Sequence, residues 1–313
     1  MVVVRDLLAG NKRAIAQAIS AVENNTGDGV LERIYKHTGR AYHVGITGPP
    51  GAGKSTLVNV VAKKLLKKKK KIGIIAVDPT SPFSGGALLG DRIRMTDLAL
   101  NNNVFIRSMA SRGSLGGLAQ STKDAALVLD AAGMDFILIE TIGVGQVELD
   151  IAQVCDTTVV VLVPESGDSI QAMKAGLLEI ADIMVVNKGD REGCERLITE
   201  LKFAFEMREQ ELGWNYPILK TIATENQGIE ELVSSIQAHF EYLTETGKLV
   251  DERKAKLLLR VHELIEQNIR MHLREKVIHD DELAALVDKI YKRQVDPYRV
   301  AKRITRQIIK GNR

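Results

Sequence analysis

The octapeptide GPPGAGKS, Gly48 to Ser55, constrains this chain more than any other stretch. It follows the β-branched run HVGIT and precedes STLVNVVAKKL, whose apolar residues recur at helical spacing. A G-x-x-x-x-G-K-[ST] pattern between a strand and a helix is a phosphate-binding loop. Gly48, Gly51 and Gly53 let backbone N–H groups converge on phosphate oxygens, and the helix N-terminus adds a favourable field. Pro49, Pro50, Ala52 and Thr56 complete the candidate nucleotide-binding stretch. Lys54 supplies a point charge for the β- and γ-phosphates. Ser55 offers its hydroxyl to Mg²⁺, a hard cation that prefers oxygen ligands.

Around this loop, short apolar runs alternate with helical stretches: HVGIT, IGIIAV, DFILIE, TTVVVLV, DIMVVN and PILKTI. Runs apolar at consecutive positions suit strands buried on both faces of a parallel sheet. Helices are expected at 55–66, 118–132, 170–179 and 192–212. The expected fold is α/β, a P-loop NTPase with a mostly parallel, doubly wound sheet and helical extensions at both ends. Residues 1–40 read as an N-terminal helical extension, 41–245 as the nucleotide-binding domain and 246–313 as a C-terminal helical arm. In the arm Leu257, Val261, Leu264, Ile265 and Met271 form an apolar stripe, which suits either a solvated helix or a dimer seam.

Asn187-Lys188-Gly189-Asp190 follows the apolar run DIMVV. The carboxylate of an N-K-x-D motif can accept from guanine N1–H and the exocyclic amine, whereas adenine presents an acceptor at N1. GTP and GDP are therefore the expected ligands, with the backbone of Ile222-Ala223-Thr224 facing guanine O6. Glu140 ends the run DFILI and is placed to reach the Mg²⁺ shell, while Gly143 lets a backbone N–H approach the γ-phosphate. Lys54, Glu140 and Gly143 are the candidate catalytic residues. Most GTPases carry Asp where Glu140 stands, and Val144 occupies the position of the water-orienting Gln of Ras-type enzymes. A slow intrinsic hydrolysis, accelerated by a partner, is expected.

Composition excludes other classes. The 313 residues hold 43 Lys+Arg against 40 Asp+Glu, a net of +3. Seven of those lysines fall in KKLLKKKKK, Lys63 to Lys71, and without them the balance would be −4. The run lies at the far end of the helix after the phosphate loop, roughly 18–20 Å from its start at ~1.5 Å per residue. With no broad basic footprint and only 4% aromatic residues, a nucleic-acid partner is not expected. Cys155 and Cys194 match no metal-ligand spacing and read as reduced thiols. No apolar run nears the ~20 residues of a bilayer span, and the N-terminal stretch is broken by Arg5, Asp6, Lys12 and Arg13. A cytoplasmic protein without a membrane partner is expected.

Longer stretches, AVDPTSPFSGGALLGDRIRM, IRSMASRGSLGGLA, ETIGVGQVE and PESGDSIQAMKAG, closely resemble the MeaB/ArgK-type GTPases over nearly the whole chain. The resemblance implies a methylmalonyl-CoA mutase-associated GTPase that chaperones an adenosylcobalamin-dependent acyl-CoA mutase. It further implies Asp78 and Asp91 near Mg²⁺ together with Ser55 and Glu140, and a homodimer joined through the C-terminal helices. Asp168, Gln171 and Lys174 would lie in a switch loop relaying nucleotide state. Ala87 and Ile93 depart from the small polar residues expected there.

Other readings remain. One is the transport-associated kinase or ATPase of the ArgK label, against which NKGD argues. Another is a metal-insertion GTPase. The six histidines are scattered, at 37, 43, 239, 262, 272 and 279, with no His-rich tract to carry a metal. A third is a binding module whose hydrolysis is incidental.

Overall fold

A run such as Ile72–Val77 cannot expose either face, because alternate residues point to opposite sides of a strand and here all are apolar or small. In the computed structural model Ile72 and Ile74 join a core on one face of the sheet, while Ile75 and Val77 join a core on the other. The structure describes residues 4–24, 26, 29–79, 95–111, 120–141, 147–164, 176–277 and 280–310. These form two compact units, Met1–Glu252 and Arg253–Arg313.

The first unit is built on seven strands: β1 Tyr42–Thr47, β2 Ile72–Pro79, β3 Val104–Ser111, β4 Phe136–Thr141, β5 Thr157–Leu162, β6 Ile183–Val186 and β7 Ile218–Lys220. They pair in the order β3-β2-β4-β1-β5-β6-β7, and every pairing between them is parallel. The fold is that of an α/β P-loop NTPase. From β1 the chain crosses to one side of the sheet, and from β4 it crosses to the other. The C-terminal ends of β1, β4 and β5 therefore flank the crevice where ligands bind in such sheets.

Thirteen α-helices accompany the strands among the described residues: α1 Val4–Leu8, α2 Lys12–Glu23, α3 Val30–Ile34, α4 Lys54–Lys67, α5 Thr96–Ala99, α6 Gln120–Ala131, α7 Val147–Asp150, α8 Leu177–Ile180, α9 Cys194–Leu212, α10 Ile229–Glu245, α11 Lys248–Val277, α12 Asp280–Tyr291 and α13 Pro297–Lys310. On one face α4 packs Leu57, Val58 and Val61 with Leu232 and Ile236 of α10 against Val44, Ile46 and Val161. On the other, Ile15 and Ile19 of α2 and Leu129 of α6 cover Ile137 and Ile139. Leu197, Leu201 and Phe205 of α9 pack on Val160, Leu162 and Met184.

Helices α1, α2 and α3 thus share a core with the sheet. Their junction is fixed by Asp130, 3% exposed, whose carboxylate accepts from the backbone N–H of Gly39 at 2.6 Å, Arg40 at 3.2 Å and Ala41 at 3.0 Å.

Two local expectations change. The N-terminal helical extension is not one continuous helix. It breaks at Gly10, with φ +78°, and Asn11 caps α2 by accepting from Arg13 N at 3.0 Å and Ala14 N at 3.1 Å. Strand β3 was absent from the expected set. It is an edge strand carrying Arg107 and Ser108, so it lacks the unbroken apolar run that marks the inner strands. Of the helix expected at 170–179, α8 supplies 177–180, and 170–175 lie outside the described residues.

In the second unit α11 continues from Arg253, and α12 and α13 follow. Asp296 caps α13, its Oδ1 accepting from Arg299 N at 2.8 Å, with Pro297 at the first helical position. Among the described residues no helix is long and apolar enough to cross a membrane.

Candidate functional site

The phosphate loop leaves β1 at Thr47 and enters α4 at Lys54. Gly48 has φ +135°, and a Cβ there would lie 2.1 Å from the carbonyl oxygen of Val161 on β5. Gly53 has φ +86°, and a Cβ there would meet Asn187 Nδ2 at 2.4 Å. Both positions therefore require glycine on conformational and steric grounds. Lys54 is 5% exposed and turns back over the loop, its Nζ donating to Gly48 O at 2.7 Å and Pro49 O at 2.8 Å. The ammonium is thereby held above the amides that would face phosphate.

Ser55 Oγ donates to Glu140 Oε1 at 2.5 Å. Glu140 is 2% exposed and lies beside Ile46 of β1 and Ala76 of β2 in the strand register, which delivers its carboxylate to the start of α4. A hydroxyl and a carboxylate together suit a hard divalent cation such as Mg²⁺. Among the described residues no cluster of three or more His, Cys, Asp or Glu side chains could hold a metal.

Asn187, 3% exposed, joins the phosphate loop to the candidate base loop. Its Nδ2 donates to Ala52 O at 2.8 Å, and its Oδ1 accepts from Thr221 Oγ1 at 3.0 Å and Ala223 N at 3.2 Å. Gly189 N donates to Thr221 O at 2.9 Å, so the loops after β6 and β7 are bonded to each other. Lys188 sits at φ +56°, and Asp190 is exposed just beyond it. The Ala223 amide, expected to face guanine O6, is here directed to Asn187.

The structure thus brings together Gly48, Gly53, Lys54, Ser55, Glu140, Asn187 and Ala223. Asp78 falls at the C-terminal end of β2, opposite Ala110 of β3. Asp91, Gly143, Asp168, Gln171, Lys174, Ala87 and Ile93 lie outside the described residues.

Three residues beneath the loop were not singled out in the sequence. Thr141 Oγ1 donates to Thr47 Oγ1 at 2.9 Å, and Thr47 Oγ1 reaches the backbone carbonyl of Glu148 at 3.4 Å. Burial pushes the Glu148 carboxyl above its ordinary value, and the nearby Lys54 ammonium opposes that rise. A threonine at a strand end carries no motif, so nothing in the sequence marks these contacts.

Residues 15–277 match the family model described as methylmalonyl-CoA mutase-associated GTPase MeaB. A Pyrococcus abyssi protein whose name marks it as a GTPase is 47% identical over 307 residues, covering 96% of this chain and 94% of the relative. The Escherichia coli GTPase ArgK is 34% identical over 284 residues, 86% of this chain and 85% of that one. A crystal structure described as an LAO/AO transport system kinase superposes with a TM-score of 0.70 at 26% identity, covering 97% of this chain and 96% of that chain. With a phosphate loop, a strand-end acid and an N-K-x-D loop gathered at the C-terminal ends of the strands, this chain belongs to the MeaB family of methylmalonyl-CoA mutase-associated GTPases.

Proposed function

We propose that this protein is a GTP-hydrolysing chaperone that gates cofactor loading and protection of an adenosylcobalamin-dependent acyl-CoA mutase. The observation that carries the reading is the Asn187 junction, which bonds the phosphate loop to the base loop. A site so joined lets the state of the phosphates be felt at the guanine side, as a nucleotide-driven switch requires.

The reaction is attack of water on the γ-phosphate of GTP, giving GDP and phosphate. Lys54 leaves the carbonyls of Gly48 and Pro49 for the phosphates and stabilises the charge that develops there. Ser55 and Glu140 would hold Mg²⁺, with Asp78 and Asp91 acting on its waters; the ion, when bound, neutralises charge on the β- and γ-oxygens. Gly143, at its place after Glu140 in the sequence, would offer its backbone N–H to the γ-phosphate. Val144 brings no amide side chain to orient water, which supports slow turnover alone and acceleration by the partner.

Exposed Leu258, Leu259, Val261, Ile265 and Ile269 on α11 support a homodimer built through the C-terminal helices. The kinase reading attached to the solved relative is disfavoured because NKGD suits guanine over adenine. Affinity co-purification from native extract tests the chaperone role, with GDP and a non-hydrolysable GTP analogue compared. A cobalamin-dependent mutase should be recovered in a nucleotide-dependent amount. Recovery of none in either state would overturn the chaperone role and leave the GTPase standing.

A further inference from the structure

Lys220 belongs to no motif, yet its side chain runs the length of the candidate base loop. It is the last residue of β7 and stands in register with Val186 of β6, the residue immediately before Asn187. Its methylenes pass over Gly189, where a Cβ would lie 2.6 Å from Lys220 Cγ, 2.9 Å from Cε and 3.3 Å from Cδ. Its Nζ then donates to Glu195 Oε1 at 2.7 Å, in the first turn of α9 and just beyond the loop. The side chain therefore spans the loop from beside its first residue to the helix that follows it. The backbone of Gly189 is not left-handed, so the lysine stem, rather than the chain conformation, forbids a side chain there.

The loop needs such a hold. Lys188 adopts φ +56°, a left-handed conformation that an L-residue keeps only where its surroundings impose it. Gly189 N donates to Thr221 O at 2.9 Å and Arg191 N to Lys188 O at 3.0 Å, but neither bond reaches across to α9. We propose that Lys220 is a positioning residue for base recognition: with Glu195 it forms a strap across Gly189 that holds Lys188 and Asp190 in the conformation that reads guanine. This role rests on the reading of Asn187-Lys188-Gly189-Asp190 as a guanine loop. The hydrogen bond between the two ends lifts the Lys220 ammonium above its ordinary value and holds the Glu195 carboxyl below its own, so both stay charged through the neutral range. The Lys220 and Glu195 side chains are 45% and 77% exposed. Solvent screens such a pair, so it adds little to overall stability, and its effect falls on the loop it crosses.

The test measures dissociation constants for GDP and inosine diphosphate, with melting temperature, in the wild-type chain, Lys220→Ala, Lys220→Arg, Gly189→Ala and the Gly189→Ala/Lys220→Ala double variant. Inosine lacks the exocyclic amine and so loses one of the two bonds to Asp190. In Lys220→Ala, GDP affinity should fall about threefold or more, and the preference for GDP over the inosine nucleotide about twofold or more, as Asp190 loses its placement. The melting temperature should stay within about 2 °C of wild type. Lys220→Arg, which keeps the charge and the reach, should recover most of both. Gly189→Ala should lower both quantities by displacing the stem. Adding Lys220→Ala to it should cause no further loss, because the two substitutions break the same strap.

Unchanged GDP affinity in Lys220→Ala would overturn the proposal. An equal loss for both nucleotides with a lower melting temperature would mark Lys220 as a structural prop and overturn it as well, as would additive effects of the two substitutions. A wild-type chain that binds ADP as tightly as GDP would overturn the guanine reading itself. A preference for GDP that is indifferent to Lys220 would leave that reading standing and remove only the strap.

Discussion

At the scale of single residues, each motif position has a physical task that a substitution can isolate. Replacing Asn187 by Ala removes bonds to Ala52, Thr221 and Ala223. At about 1–3 kcal/mol for buried groups left unpaired, GDP affinity should fall roughly ten- to hundredfold, measurable by titration calorimetry. Asp190→Asn exchanges one acceptor for a donor. The variant should lose GTP and gain xanthosine triphosphate, whose C2 carbonyl replaces the guanine amine, by about 1–3 kcal/mol in each direction; competition binding checks this.

Glu148 gives a pH signature. A carboxyl held above its ordinary value contributes stability that is complete below that value and is lost as pH rises through the raised one. The melting-temperature advantage of Glu148→Gln should therefore be present at neutral pH and vanish below the ordinary carboxylate range, which thermal scans at several pH values would reveal. The candidates Gly48, Lys54, Ser55, Glu140 and Asn187, which the structure gathers, were legible in the sequence because each belongs to a local motif or a strand end. Thr47, Thr141 and Glu148 were not, because their roles arise where separate strand ends meet.

Elements show the same division between local and distant causes. The inner strands announce themselves because burial on two faces demands unbroken apolar runs. Edge strand β3 does not, since Arg107 turns outward to Glu23, 3.1 Å from Ser20 Oγ, and bonds the strand to α2. The break between α1 and α2 could have been read from Gly10-Asn11, a turn glycine followed by a capping residue. Asp130 could not have been read, because its three amide partners lie about ninety residues earlier in the chain. Asp130→Ala should leave those amides short of an acceptor and lower stability by about 2–4 kcal/mol, seen as a lower denaturant midpoint. GDP affinity of the folded fraction should be unchanged, because the carboxylate joins the N-terminal helices to the sheet rather than touching the phosphate loop.

For the whole molecule, the sheet order was not available from the sequence, since many parallel arrangements share one strand and helix alternation. Right-handed crossovers narrow the choices, and the long-range pairing of β1 with both β4 and β5 settles them. Exposed apolar residues on α11 lead to a prediction on assembly. Changing Leu258 and Ile265 to Glu should convert a dimer to a monomer in light scattering while GTP hydrolysis per chain stays within about threefold, given the cost of burying unpaired charge at an interface.

The Asn187 junction also bears on how such a chain can be redesigned or can drift. One amide side chain bonds the phosphate loop to the candidate base loop, so the two loops are not separable modules. Asp190, exposed and outside that junction, is a position through which specificity can be rewritten while the scaffold is preserved. A lineage moving toward another nucleobase has an easier route through Asp190 than through Asn187.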